Sequence, residues 1–114
     1  MKKFTMIAAT LIFTGTAFAA QAEPRQAGPR TERVSYADLN LTSRSGTASL
    51  ERRVREASGR VCDMGGTQTL DEFAISSRCY SAAVADGLRQ MNEVVATKNS
   101  GAILAATALT ITGR

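Results

Sequence analysis

The sequence predicts a small α+β domain in which a two-helix hairpin, joined by a disulfide, packs on a two-stranded antiparallel sheet. Apolar residues alternate with polar ones near the start of this domain and again over residues 104–112, which is typical of strands. Between them, over about residues 47–97, apolar residues recur every three or four positions, as in amphipathic helices. Two cysteines fall within the helical stretches. The predicted order is therefore strand, helix, helix, strand.

The first 22 residues have the composition of a bacterial signal peptide. Lys2 and Lys3 precede an uncharged, mostly apolar run that ends at Ala20. This run is shorter than the ~20 residues that span a bilayer, and no charged stop-transfer flank follows it. Small residues suit cleavage after Ala19 or after Ala22, of which we favour Ala22, and a retained N-terminal anchor is the alternative. We expect a periplasmic or secreted protein with no membrane span after cleavage.

The processed chain is small enough to need a covalent constraint. Cleavage after Ala22 leaves 92 of the 114 residues and lowers the net charge from +4 to +2, because two lysines and no acidic residue are removed. A domain of this size is marginal on hydrophobic burial alone. In an oxidising compartment, an even number of cysteines favours a Cys62–Cys79 disulfide over the metal or redox roles of cytosolic cysteines. The bridge is expected to contribute roughly 3 kcal/mol.

Residues 23–32 predict a flexible leader ahead of a domain at 33–114, because they hold both prolines and almost no apolar side chains. The first strand is expected in R-V-S-Y-A-D-L-N-L-T, residues 33–42. Its apolar residues change parity near Ala37-Asp38. A bulge or kink at that point explains the change.

The first helix is predicted at about residues 47–62. Its apolar stripe consists of Leu50, Val54, Ala57 and Val61. The segment Asp63–Gly66 ends the helix in a turn, since its glycines adopt left-handed backbone conformations readily.

The second helix is predicted to open with a capping box at Thr69–Glu72 and to continue to about Thr97. Ser76-Ser77 is a candidate break. Its stripe comprises Phe73, Tyr80, Val84, Leu88, Met91 and Val95. After a turn at residues 98–101, residues 104–112 alternate as a strand able to pair with the first one, although their alanine content leaves a last helix as the alternative.

Several coupled motifs resemble the UrcA family of small exported bacterial proteins. They are V-S-Y-A-D-L-N-L, Gly46, L-E-R-R-V-R-E-A, Val61-Cys62 and Cys79, within about residues 33–91. The chain departs from the family pattern at Asn40, where an acidic residue is common, and at Ser58-Gly59, where alanines are usual. The resemblance implies an exported location and a two-cysteine architecture. It implies no established activity and no catalytic residues.

The residue types argue against an enzyme and against a cofactor. The chain contains no histidine, the commonest general base and transition-metal ligand. Its cysteines are too far apart for a C-x-x-C redox motif, and Gly65-Gly66 has no following Lys-Ser/Thr for a phosphate loop. Four carboxylates are candidates for acid–base work: Asp38, Asp63, Asp71 and Glu72. Three suit turns or the helix start, and Asp38 suits a role in stabilising the kink by accepting hydrogen bonds from nearby amides.

The arginines of the first helix do not predict nucleic-acid binding. Acidic residues four positions away compensate them, in the pairs Glu51–Arg55, Arg52–Glu56 and Glu56–Arg60. Few aromatic residues are available for base stacking. We therefore expect a solvated helix face.

Two hypotheses follow: a non-catalytic envelope protein that binds an envelope partner, and a stress-induced structural protein without a specific ligand. A third, a weak hard-cation binder using Asp38 and Asp63, lacks a D-x-D-x-D-G loop. We expect no metal site. The candidate surface contact is Tyr36 and Asp38, where a bulged strand would present a polar side chain beside apolar ones.

Overall fold

A computed structural model describes residues 29–114, so the predicted signal peptide and most of the predicted leader lie outside the described residues. The elements are β1 (Thr31–Ser35), α1 (Arg44–Val61), α2 (Leu70–Asn99) and β2 (Ala108–Thr112). The two strands pair antiparallel in a two-stranded sheet. The predicted fold class and element order are confirmed.

The strand β1 is shorter than expected and lies earlier in the chain. It begins at Thr31, which pairs with Thr112 at the far end of β2, so the sheet takes up the last two residues of the predicted leader. After Tyr36 the chain leaves the sheet in a turn, where the Leu39 amide donates to the Tyr36 carbonyl at 3.1 Å. The predicted bulged strand is therefore wrong beyond Tyr36. The change of parity marks a turn that allows Leu41 to be buried.

The helix α1 begins at Arg44, three residues before the predicted start, because Ser43 caps it. The Ser43 hydroxyl accepts a hydrogen bond from the Gly46 amide at 3.0 Å. A Cβ atom at Gly46 would lie only 1.9 Å from the Asn40 carbonyl oxygen, so this position requires glycine. The helix ends at Val61, and the predicted turn after it is confirmed by positive φ values at Asp63 and Gly66.

The helix α2 opens with the predicted capping box. The Thr69 amide donates to the Glu72 carboxylate at 2.8 Å, and the Glu72 amide donates to the Thr69 hydroxyl at 3.3 Å. The helix then continues to Asn99 without the candidate break at Ser76-Ser77. A serine inside a helix need not end it when its hydroxyl finds a partner, and the Ser76 hydroxyl accepts from the Gln68 side chain at 3.3 Å.

The strand β2 is shorter than the predicted 104–112, because residues 102–107 are irregular. The alternative of a last helix is excluded by the pairing of Leu109 with Val34 and of Ile111 with Glu32. Leu109 and Ile111 are buried on the face of the sheet that covers the helices.

One hydrophobic core lies between the sheet and the two helices. Its buried residues include Val34, Leu109 and Ile111 of the sheet, Tyr36 directly after β1, Leu50, Val54 and Ala57 of α1, and Ala83 and Met91 of α2. Gly87 lies where α2 crosses α1, and a Cβ atom at this position would lie only 2.5 Å from the Val54 side chain.

Neither helix among residues 29–114 is both long enough and apolar enough to cross a membrane.

The predicted Cys62–Cys79 disulfide is present and joins the two helices, with the Cα atoms 5.6 Å apart. Cys62 directly follows the last residue of α1, whereas Cys79 lies well inside α2. The bridge therefore fixes the end of α1 beside α2 at Cys79, nine residues after α2 begins. Residues 70–78, which we call the α2 overhang, extend beyond the end of α1.

Candidate functional site

Tyr36, one half of the predicted surface contact, is buried. Only 4% of the residue is exposed, and its hydroxyl donates to the Ala106 carbonyl at 2.7 Å. Tyr36 directly follows β1, and its side chain lies on the same side as that of Val34. This side of the sheet covers the helices. The prediction of Tyr36 as a surface contact is therefore wrong. Its role is to fasten the segment before β2 to the end of β1.

Asp38, the other half, is exposed but bound by an arginine. Both of its carboxylate oxygens accept from the Arg53 guanidinium, at 2.8 and 2.6 Å. These hydrogen bonds, together with one from the backbone of Asp38, lower the pKa of the carboxyl group to about 2. The Arg53 guanidinium also donates to the Ser35 carbonyl at 2.8 Å. Asp38 thus stabilises the turn chiefly through Arg53, rather than through nearby amides as expected.

The remaining acidic candidates are also engaged. Asp63 forms an ion pair with Arg30, and hydrogen bonds from the backbone and hydroxyl of Thr69 lower the pKa of Glu72. The two carboxylates considered for a hard cation, Asp38 and Asp63, therefore each bind an arginine. The part of the chain that the structure describes has no group of three or more acidic, histidine or cysteine side chains that could hold a metal ion.

The arginine pairs on α1 agree with the sequence in two cases out of three. Arg55 binds Glu51 at 2.7 Å, and Arg52 lies 3.8 Å from Glu56. The predicted pairing of Arg60 with Glu56 is wrong, because Arg60 binds Glu32 of β1 through three hydrogen bonds, of 3.0, 3.0 and 2.5 Å. Glu32 is distant from Arg60 in the sequence, and the hydrogen bonds donated by Arg60 lower the pKa of the Glu32 carboxyl group.

A cleft of about 540 Å³ opens at the end of the molecule where the disulfide lies. It is open to solvent rather than enclosed, and its lining is mainly apolar. Its walls come from the ends of α1 and β2, the start of β1 and one side of the α2 overhang. The lining residues include Pro29, Val61, Ile75 and Cys79, with Arg30 and Asp63 at the rim.

The α2 overhang exposes three large apolar side chains, of which Ile75 lines this cleft. Leu70 is 88% exposed, Phe73 53% and Ile75 69%. The sequence placed Phe73 in the apolar stripe of α2, and it does continue that stripe, but α1 ends before reaching it. Sequence periodicity missed this surface because it does not reveal how far the opposite helix extends.

The two edges of the sheet differ in how they are protected. On the free side of β2, the side-chain amide of Gln90 donates to the Thr110 backbone carbonyl at 2.9 Å and accepts from the Thr110 backbone N–H at 3.3 Å. On the free side of β1, the Ser35 carbonyl accepts a hydrogen bond from Arg53, but no side chain of residues 29–114 binds the backbone of Thr31 or Arg33. Arg33, in the middle of β1, is exposed, and no carboxylate of residues 29–114 lies within ion-pair distance of it.

No protein-family model, curated protein or solved structure matches the chain. The fold and surfaces define a small α+β domain whose two helices are joined by a disulfide, with an exposed apolar end. Any assignment of function therefore depends on these residues and their geometry.

Proposed function

We propose that this chain is an exported, non-catalytic protein of the UrcA family that acts in the bacterial envelope by contact with another protein. The signal-like N-terminus and the UrcA motifs support export. A disulfide between the helices is compatible with an oxidising compartment outside the cytoplasm.

The observation that carries the contact function is the α2 overhang. Three of the exposed large apolar side chains, Leu70, Phe73 and Ile75, lie on this one helical segment, and Ile75 lines the apolar cleft. Large apolar side chains left exposed on one segment of a small domain commonly mark an interaction site. A small ligand is best held by a pocket that encloses most of its surface, whereas this cleft is open. A polypeptide with an apolar segment fits an open surface of this kind better.

The carboxylates support a non-catalytic role. Asp38 and Asp63 bind arginines, and Glu72 completes a capping box. A general acid or base works best with a pKa near the operating pH, whereas the pKa values of Asp38 and Glu72 are shifted downward. These side chains are better suited to holding the fold together than to transferring protons.

Site-specific photocrosslinking tests the contact function. A photoreactive amino acid is placed at Phe73 in the full-length chain, and a matched control carries it at Asn92, an exposed polar position on the same helix. We expect one discrete adduct with an envelope protein from position 73 and none from position 92. The substitutions Leu70→Ser and Ile75→Ser should together weaken that adduct several-fold without changing the helical circular dichroism.

Equal or absent crosslinking at the two positions would contradict the proposal. It would favour the alternative, a stress-induced structural protein without a specific ligand. The same holds for an adduct that Leu70→Ser and Ile75→Ser leave unchanged, since that adduct would not depend on the apolar surface.

A further inference from the structure

We infer that the outer edge of β1 binds an extended segment of a partner protein with an acidic residue opposite Arg33, which adds a third strand to the sheet. The outer edge consists of the backbone N–H and C=O groups of Thr31, Arg33 and Ser35. This surface is separate from the α2 overhang, and the inference does not depend on a partner binding there.

The hydrogen-bond pattern identifies which backbone groups form the outer edge. The Tyr36 amide donates to the Thr107 carbonyl at 2.9 Å, and the Gly113 amide donates to the Arg30 carbonyl at 2.8 Å. Residues of an antiparallel ladder alternate between bonding to the partner strand and pointing away from it. The backbone N–H and C=O groups of the even-numbered residues of β1 therefore point toward β2. Thr31, Arg33 and Ser35 present their backbone groups on the opposite side.

That edge is only partly closed. Arg53 occupies the Ser35 carbonyl, but no segment of residues 29–114 pairs with the outer side of Thr31 or Arg33. The free edge of β2 is closed differently, since the Gln90 amide binds both backbone groups of Thr110, its central residue. An open strand edge can accept another strand by backbone hydrogen bonding. Of the two strands within residues 29–114, only β1 offers such an opening at its centre.

Charge disfavours a second copy of this chain as the occupant. A two-fold antiparallel pair centred on Arg33 would place this arginine opposite its own counterpart, and one centred on Glu32 would place two glutamates opposite each other. Like charges directly opposite across strands are destabilising. A pair centred on Val34 would need the Ser35 carbonyl, which is already bound to Arg53. Each of the three central registers therefore carries a cost.

The same charges favour an acidic strand. Arg33 projects from the exposed face of β1, and no acidic residue of residues 29–114 forms an ion pair with it. A glutamate or aspartate directly opposite would lie on the same face of the extended sheet and close to the guanidinium. Backbone hydrogen bonds to Thr31 and Arg33 would supply the attachment. The acidic side chain would select the register.

Two capped peptides test the inference: Thr-Val-Thr-Glu-Thr-Val-Thr and its counterpart with lysine in place of glutamate. Each is titrated into isotope-labelled protein while amide exchange is followed by NMR. We expect the glutamate peptide to slow exchange of the Arg33 amide at least fivefold and to bind about tenfold more tightly than the lysine peptide. The Thr110 amide, already bound to Gln90, should not change and serves as the internal control.

The variant Arg33→Glu should reverse the preference, so that the lysine peptide binds more tightly. Because Arg33 is exposed and outside the core, we expect the variant to keep the wild-type Tm. Failure of the wild-type Arg33 amide to respond to the glutamate peptide, or equal responses to both peptides, would overturn the inference. Leu70→Ser with Ile75→Ser should leave the titration unchanged, so its result stays distinct from that of the crosslinking.

Discussion

Arg53 connects three parts of the molecule through one side chain. Its guanidinium extends from α1 to the Ser35 carbonyl at the end of β1 and to both carboxylate oxygens of Asp38 in the following turn. The sequence indicated that Asp38 would stabilise this region, but not that an arginine 15 residues later would be its partner. Helical spacing shows which residues share a face of α1. It does not show which loop that face meets.

We predict a pH-dependent effect of Asp38→Asn. The folded-state pKa of Asp38 is about 2, below the ~3.9 of an unfolded chain, so the ion pair stabilises the native state above pH 4 and this contribution is lost as the pH falls through 2. The variant should have a slightly lower Tm than wild type at pH 6, because an exposed ion pair contributes little. The difference should disappear near pH 2.

Thermal unfolding followed by circular dichroism at pH 6, 4, 3 and 2 measures this difference. Glu93→Gln is the matched control, since Glu93 is exposed on α2 and forms no ion pair within residues 29–114. A Tm difference for Asp38→Asn that stays constant across this range would show that the ion pair is not its cause.

At the scale of the elements, both helices and their hairpin could be predicted from the sequence, because each buries one periodic stripe. The exact residues at which α1 begins and β1 ends could not be predicted in this way. The start of α1 depends on the Ser43 cap, and the end of β1 depends on a turn that buries Leu41. Both features depend on local hydrogen bonds and on packing between distant residues rather than on periodicity.

The first turn of α1 provides the second prediction. Gly46→Ala should destabilise the domain by about 1–3 kcal/mol, because the new Cβ would lie 1.9 Å from the Asn40 carbonyl oxygen and the backbone would have to move. Gly59→Ala, in the same helix, is the matched control. A Cβ there meets only Met64, at 3.9 Å, so the higher helix propensity of alanine should stabilise the domain by about 0.5–1 kcal/mol.

Urea unfolding of the two variants beside wild type compares these free energies directly. Opposite signs are expected for the same chemical change in one helix. If Gly46→Ala were neutral, the contact with Asn40 would not constrain the start of α1.

On the scale of the whole molecule, the sequence predicted the architecture more completely than the surfaces. The strand pairing and the disulfide followed from patterning and compartment, whereas the candidate contact at Tyr36 did not, because a turn replaced the expected bulge. The α2 overhang results from a difference in length between the two packed helices, and the open edge of β1 results from a described sheet of only two strands. Both features appear only once the elements are assembled.

Export is the third prediction. Protein recovered from the periplasm or medium should begin at Glu23 or at Ala20, because small residues precede both positions as signal peptidase requires. N-terminal sequencing of the purified protein measures this. A chain that starts at Met1 and remains with the membrane fraction would instead support a retained anchor.

The hydrogen bond from the Gly113 amide to the Arg30 carbonyl places the two ends of the described segment, residues 29–114, side by side and next to the cleft. A circular permutant is therefore feasible: a short glycine linker could join Arg114 to Pro29, and new termini could open in the exposed turn at Ser100–Gly101 that follows α2. Purification tags and fluorophores attached to that turn would lie on a different segment from the cleft. Tags at Arg114 would stand at its rim and obstruct any partner that binds there.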